Sequence, residues 1–145
     1  MRTIPNLPND SVPAPRKTLD QLVSILAAGA LPSAVRRKSF IVNDVPQALP
    51  LAIDENLLAS ILSGMLHTIV SNTGDSCVRV AAKKLGNIIL VQVRDSNRLN
   101  RYDIARELKE TQNLAREIGG CVSLGNKKEN STSIGFSFMN LPGTN

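Results

Sequence analysis

Residues 54–70 read DENLLASILSGMLHTIV, and this stretch carries the strongest helical pattern in the chain. Its apolar side chains recur three and four positions apart, so a helix gathers them on one broad face. They are Leu57, Leu58, Ile61, Leu62, Met65, Leu66, Ile69 and Val70. Asp54 precedes the run and suits an N-cap, because a carboxylate accepts hydrogen bonds from the free amides of the first turn. The stretch predicts a long helix that packs on a sheet.

The sequence before this helix predicts one more helix and a strand. Thr18 is a suitable cap for a helix over residues 19–28, whose apolar positions also recur at helical spacing. We expect Gly29 and Pro32 to end that helix. Residues 38–43 contain three apolar residues in a row and predict a strand.

The sequence after the long helix predicts two hairpins separated by a helix. The predicted strands cover residues 77–82, 87–94, 121–124 and 133–139. A helix over residues 103–118 lies between the two strand pairs, and two glycines end it. This order favours an α+β fold, a two-layer α/β sandwich in which a mixed sheet carries its helices on one face.

Length and composition indicate one folded domain. The chain has 145 residues, of which 42% are hydrophobic and 20% charged, as in a folded globular protein. Residues 1–17 contain four prolines, which cannot sustain a helix, and predict an extended tail. We therefore expect a domain over residues 18–142 and a short second tail over residues 143–145.

Several classes of partner and site are not expected. No apolar run reaches the ~20 residues of a membrane span, and the N-terminus does not resemble a signal peptide, so we expect a cytoplasmic protein without a membrane partner. The net charge is +5, but three Phe, one Tyr and no Trp give few stacking surfaces for nucleic acid, which is not an expected partner. Cys77 and Cys121 lack metal-ligand spacing and predict buried, reduced thiols rather than a metal site.

Several stretches carry a resemblance to one family. They are residues 42–50 (VNDVPQALP) leading into 54–62, residues 91–95 (VQVRD), residues 114–120 (LAREIGG) and residues 133–138 (SIGFSF). Together they resemble the ATP-binding catalytic domain of sensor histidine kinases, in the GHKL superfamily. The resemblance runs from about residue 18 to residue 142 and implies the histidine kinase ATPase fold.

The resemblance implies a metal position on the long helix. In the family a helix pattern NLLxNA carries the Asn that ligates Mg²⁺, a cation that prefers oxygen ligands. The aligned residues 64–69 read GMLHTI, so Gly64 and Thr68 stand at the two Asn positions. Neither side chain reaches the point that Asn would reach. We therefore expect the metal site to be lost.

The resemblance also implies a position for adenine. The family's first glycine box, DxGxG, supplies a carboxylate that accepts a hydrogen bond from the adenine amino group. Residues 95–99 read DSNRL, which keeps Asp95 and places Asn97 and Leu99 at the glycine positions. Only glycine takes the tight turn freely. Gly64, Thr68, Asp95 and Asn97 are thus the candidate positions of a degenerate nucleotide site.

Two further features of the family are missing. The second glycine box should precede the last helix, but residues 100–112 contain no glycine, and a charged helix is expected in place of the phosphate lid. Phosphotransfer requires an acceptor histidine on a helical hairpin, and the only histidine, His67, lies in the long helix. We expect His67 to be a partly buried structural residue. With no GxSxG, HExxH or GxxxxGK[ST] pattern either, no catalytic residue is assigned.

Two functions remain open on these grounds. The first is a non-catalytic interaction module in two-component-type signalling, with a kinase hairpin or a response-regulator domain as its partner. The second is a divergent histidine kinase domain that still binds ATP through Asp95 and phosphate through Arg98, Arg101 and Arg106. The first needs no cofactor, whereas the second needs ATP, with Mg²⁺ if another group replaces the lost ligand.

Overall fold

The computed structural model describes residues 17–125 and 130–141. The helices in these ranges are α1 (Leu19–Arg36), α2 (Glu55–Asn72), α3 (Arg101–Glu107) and α4 (Lys109–Glu117). The strands are β1 (Phe40–Asn43), β2 (Cys77–Leu85), β3 (Ile88–Asp95), β4 (Cys121–Leu124) and β5 (Thr132–Met139). The expected tails lie outside the described residues, except for Lys17, and so does part of the loop between β4 and β5.

The five strands form one mixed sheet in the order β1-β2-β3-β5-β4. β1 runs parallel to β2, and the other neighbours are antiparallel, so both predicted hairpins are present. Along β3, Ile89, Val91 and Val93 are buried, whereas Ile88 and Arg94 on the opposite face are exposed. The alternation shows that the helices cover one face, which confirms the predicted α+β two-layer fold.

The long helix α2 forms the centre of the core, as its sequence predicts. Asp54 caps it, because its Oδ1 accepts from the backbone amides of Asn56 at 2.8 Å and Leu57 at 3.2 Å. The apolar face of α2 is buried together with the inner face of β3 and β5. Its fully buried side chains include Leu58, Ile61, Met65 and Ile69.

The first helix continues past the predicted end. α1 runs through Gly29 and Pro32 to Arg36, so the expectation that these two residues end it is wrong. Pro32 is exposed, and water can therefore hydrate the carbonyl one turn earlier that has lost its amide donor. Ala34 is fully buried, and its carbonyl accepts from the Ser39 amide at 2.8 Å. Tertiary packing of the last turn outweighs the local helix breakers.

The third predicted helix is divided into two. Asn100 caps α3 by accepting from the Asp103 amide at 3.1 Å, and the helix breaks at Leu108 before α4 begins. Leu108 is fully buried, as is Ile104 one turn earlier. The break lets both short helices place apolar side chains in the core. Gly119, with a φ of 74°, ends α4 as its position predicts.

The two cysteines lie on strands, but they are not both buried. Cys77 is half-buried and Cys121 is exposed, so the expectation of burial is wrong for Cys121. Cys121 is on the outward side of the edge strand β4, while its neighbour Val122 faces the core. Both thiols are free. None of the helices in the described ranges has the length and apolarity needed to cross a bilayer.

Candidate nucleotide site

Asp95, the candidate adenine anchor, is fully buried at the end of β3. Its Oδ2 accepts from the Thr73 hydroxyl at 2.6 Å, and its Oδ1 accepts from the Ser76 hydroxyl in a short contact. Ser76 Oγ also lies 2.9 Å from Ser96 Oγ. A buried carboxylate requires such partners, because burial without them is very costly. Both oxygens of Asp95 are therefore bound within the protein.

Asn97 lies against the same turn that holds Asp95. Its Nδ2 donates to the carbonyl oxygen of Gly74 at 3.0 Å and to Thr73 Oγ1 at 3.4 Å. The structure thus brings Asp95 and Asn97 together at the turn formed by residues 73–76, directly after α2. Side-chain hydrogen bonds join this turn to the end of β3.

Gly64 and Thr68, the candidate metal positions, lie one turn apart on α2 and are joined to each other. Thr68 is buried, and its hydroxyl donates to the Gly64 carbonyl at 2.8 Å. At Gly64, a Cβ would lie 2.2 Å from the Oγ1 of Thr111 in α4. No side chain fits at position 64 unless Thr111 moves. Position 64 is therefore a point of close contact between α2 and α4.

The end of α3 is also attached to α2. Glu107 accepts from Asn72 Nδ2 at 3.1 Å through its Oε2 and from Ser71 Oγ at 3.4 Å through its Oε1. Asn72 Nδ2 lies 2.7 Å from the carbonyl oxygen of Thr68, to which it also donates. The C-terminal end of α3 is thus held on the last turn of α2.

Comparison with known proteins gives structural likeness but no sequence match. No family model matches the chain, and no curated protein matches it. The histidine kinase AdeS of Acinetobacter baumannii superposes with a TM-score of 0.74 at 8% identity, over 93% of this chain and 73% of that one. The nucleotide-free catalytic domain of the histidine kinase ThkA gives 0.69 at 15% identity, over 86% and 93%.

The same likeness extends to a complex. ThkA crystallised with the response regulator TrrA gives a TM-score of 0.71 at 12% identity, over 89% of this chain. The chain spans 42% of that ThkA chain. This protein has the fold of a histidine kinase catalytic domain. The fold that the sequence resemblance implied is therefore confirmed.

Within this histidine kinase fold, the residues present do not fit ATP with Mg²⁺. Gly64 offers no ligand atom, and Thr111 of α4 fills the space beside it. Thr68 donates its hydroxyl to its own helix, and the carboxylate of Asp95 is bound by two hydroxyls. Among the residues that the structure describes, no group of three His, Cys, Asp or Glu is placed to hold a metal ion.

The arginines proposed to bind phosphate make contacts within the protein. Arg101 Nη1 donates to the Gly125 carbonyl at 2.9 Å. Arg106 pairs with Asp103 at 3.3 Å, and its guanidinium lies 5.6 Å from the centre of the Tyr102 ring. These two side chains stabilise the α3 segment and its contact with the end of β4.

His67 is exposed on α2, so the expectation of partial burial is wrong. The apolar face of α2 turns toward the sheet, and His67 lies outside it. Its side chain borders a shallow groove between α1 and α2 of about 430 Å³, opposite Gly29.

Sequence reasoning missed the residues that close the site. Thr73 and Ser76 read only as turn residues, and Glu107 as one charge of a charged helix. Thr111 was expected on the apolar side of that helix, but its contact with Gly64 was not predicted. One signal was available at Gly64. A glycine inside a helix costs about 1 kcal/mol relative to alanine and often marks a close approach of another element.

Proposed function

We propose that this chain is a non-catalytic interaction module of two-component-type signal transduction, built on the histidine kinase ATPase fold. The observation that carries the proposal is the contact between Gly64 and Thr111, which fills the candidate metal position with the protein's own side chain. The likeness to histidine kinases supports the signalling context.

Opening this site would disrupt the core. Ile104 and Leu108 are fully buried, and Ala115 lies with them in the segment that covers α2. Exposing a large aliphatic side chain costs about 1.5–3 kcal/mol. Every 1.4 kcal/mol spent on opening weakens an apparent affinity about tenfold. A nucleotide that needed α3 and α4 displaced would therefore bind poorly at cellular concentrations.

Gly64, Thr68, Asp95 and Asn97 accordingly keep structural roles in our proposal. Asp95 and Asn97 fix the turn after α2, and Gly64 admits α4. Thr68 satisfies its hydroxyl on its own helix. In our proposal these four residues, at the positions where the family binds its nucleotide, instead make contacts within the protein.

The proposed partner is a protein of the same signalling class. ThkA forms a complex with the response regulator TrrA, which shows that a protein of this fold takes part in such an assembly. A response-regulator domain or a kinase hairpin is therefore the first candidate for this chain.

A nucleotide titration tests the proposal. We expect no binding heat and no rise in melting temperature with millimolar ATP or ADP, with or without Mg²⁺. Specific binding would stabilise the fold by about 2.7 kcal/mol at a ligand concentration of a hundred times Kd, which a melting curve resolves. A magnesium-dependent rise that Asp95→Asn removes and the exposed control Asp44→Asn keeps would contradict the proposal. It would favour the divergent ATP-binding domain instead.

A further inference from the structure

The solvent side of α1 is unusually apolar. Between Asp20 and Arg36 the helix contains no charged residue. Ile25, Leu31 and Val35 are 52%, 50% and 62% exposed. Single exposed apolar residues are normal, but a contiguous apolar face on a surface helix indicates a partner.

These side chains share one helical face. Ala28 is exposed at the middle of α1, Ile25 and Leu31 lie three residues before and after it, and Val35 lies one turn beyond Leu31. At 3.6 residues per turn, these positions point away from the buried side, which includes Leu22 and Ala34. The groove between α1 and α2 continues this face past Ile25, Gly29 and His67. We name the set Ile25, Ala28, Leu31 and Val35 the α1 face.

We propose that the α1 face packs antiparallel against the α1 face of a second copy of this chain, with the two helices crossing at Ala28. In a two-fold symmetric interface, residues equally far from the crossing point on either side meet each other's copies. Ile25 of one copy then lies near Leu31 of the other. The small side chain at position 28 lets the two backbones approach.

The charges at the ends of α1 fit this arrangement. The N-terminal end carries Asp20. Glu55 lies nearby, and its carboxylate pairs with Lys17 at 3.4 Å. The C-terminal end carries the three exposed cations of residues 36–38. An antiparallel pair brings Asp20 of one copy toward Arg36 of the other, since each lies eight residues from Ala28. A parallel pair would place like charges together, which is unfavourable.

The size of the contact sets the expected affinity. α1 has 18 residues and is therefore about 27 Å long. One helix pair buries less surface than the roughly 1,600 Å² of a standard interface, so a dissociation constant of micromolar order is expected. The inference is independent of the proposed function, because the dimer does not involve the nucleotide positions.

Sedimentation velocity tests the interface. Over about 1 to 500 µM, a range that brackets a micromolar Kd, the unaltered chain should pass from monomer to dimer. Leu31→Glu and, separately, Val35→Glu should remain monomeric throughout, with unchanged circular dichroism because both residues are half or more exposed. Met139→Glu, in another exposed apolar position, is the matched control and should still dimerise.

Cysteine cross-linking tests the orientation, in a chain carrying Cys77→Ala and Cys121→Ser. Ala28→Cys should oxidise to a disulfide dimer. Gln21→Cys should not link to itself, but it should link to Val35→Cys when the two variants are mixed. A chain that stays monomeric over the whole range, a dimer that survives Leu31→Glu, or self-linking of Gln21→Cys in preference to Ala28→Cys would each overturn the proposal.

Discussion

Gly64 in α2 and Gly29 in α1 are both glycines inside helices of the same layer, yet their surroundings are opposite. A Cβ at Gly64 would lie 2.2 Å from Thr111, whereas a Cβ at Gly29 would meet nothing within 4 Å. The first glycine is a candidate metal position of the sequence resemblance, and Thr111 of α4 lies against it. The second lies beside an apolar helix face that is open to solvent. The contrast shows one helical glycine that admits a neighbouring helix and one that leaves the surface open.

The largest expected change in stability comes from placing Asn, the residue of the family pattern, at Gly64. Gly64→Asn should lower the free energy of unfolding by about 3 kcal/mol, the upper end for overpacking a core, because Thr111 and α4 must move. Urea unfolding measures the change. Adding Thr111→Ala should recover part of the loss, since it removes the closest atom.

The control position is Gly29, where a Cβ has free space. Gly29→Ala should raise the free energy of unfolding by about 0.5–1 kcal/mol, because alanine is the better helix former and has room there. Equal effects of substitution at the two glycines would break the comparison.

The next effect concerns the turn after α2. Asp95→Asn should destabilise the fold by about 2 kcal/mol, since a hydrogen bond to a charged group contributes about 1.5–3 kcal/mol and an amide nitrogen cannot accept from a hydroxyl. Chemical denaturation at neutral pH gives the value. An unchanged free energy of unfolding in Asp95→Asn would mean that the carboxylate is not held by Thr73 and Ser76.

A smaller effect is expected at the attachment of α3. Glu107→Gln should cost about 0.5 kcal/mol, because the contacts to Ser71 and Asn72 are partly solvated and only one acceptor oxygen remains. Proteolysis between α3 and α4 should become measurably faster. Glu110→Gln in the first turn of α4 serves as the control and should leave the cleavage rate unchanged.

The smallest effect is a pH dependence at the start of α1. The Thr18 hydroxyl donates to Asp20 at 2.6 Å and lowers the pKa of that carboxyl below its ordinary value of 3.8. A carboxyl whose pKa is lower in the folded protein than in the unfolded chain stabilises the fold at pH values above the unfolded-chain pKa. That stabilisation is lost as the pH falls through the folded-state pKa. Below pH 3.8 the wild type should therefore lose slightly more stability than Asp20→Asn, as denaturation midpoints at pH 7 and pH 3 would show.

The sequence predicted the elements with strong periodicity and failed where packing overrides local preference. The apolar face of α2 and both hairpins follow from spacing alone. The continuation of α1 through Pro32 depends on burial of Ala34, which no local pattern reveals. The break at Leu108 likewise depends on what α3 and α4 meet in the core.

The nucleotide site stays a prediction of the sequence resemblance, and the structure adds what surrounds each candidate residue. The family resemblance located Gly64, Thr68, Asp95 and Asn97, and the missing glycines indicated a replaced lid. That Thr111 would occupy the space at Gly64 required the register of α4 against α2, which is a long-range contact. The hydroxyls that bind Asp95 come from a turn whose sequence reads only as a connection.

Hydrogen exchange of the α3 and α4 segment tests the central claim most directly. Amides of residues 104–115 should exchange slowly, as expected for a segment whose side chains lie in the core, and millimolar ATP with Mg²⁺ should not change their rates. Fast exchange in this segment that becomes slow when nucleotide is added would show a mobile lid closing over a working site, and it would contradict the account.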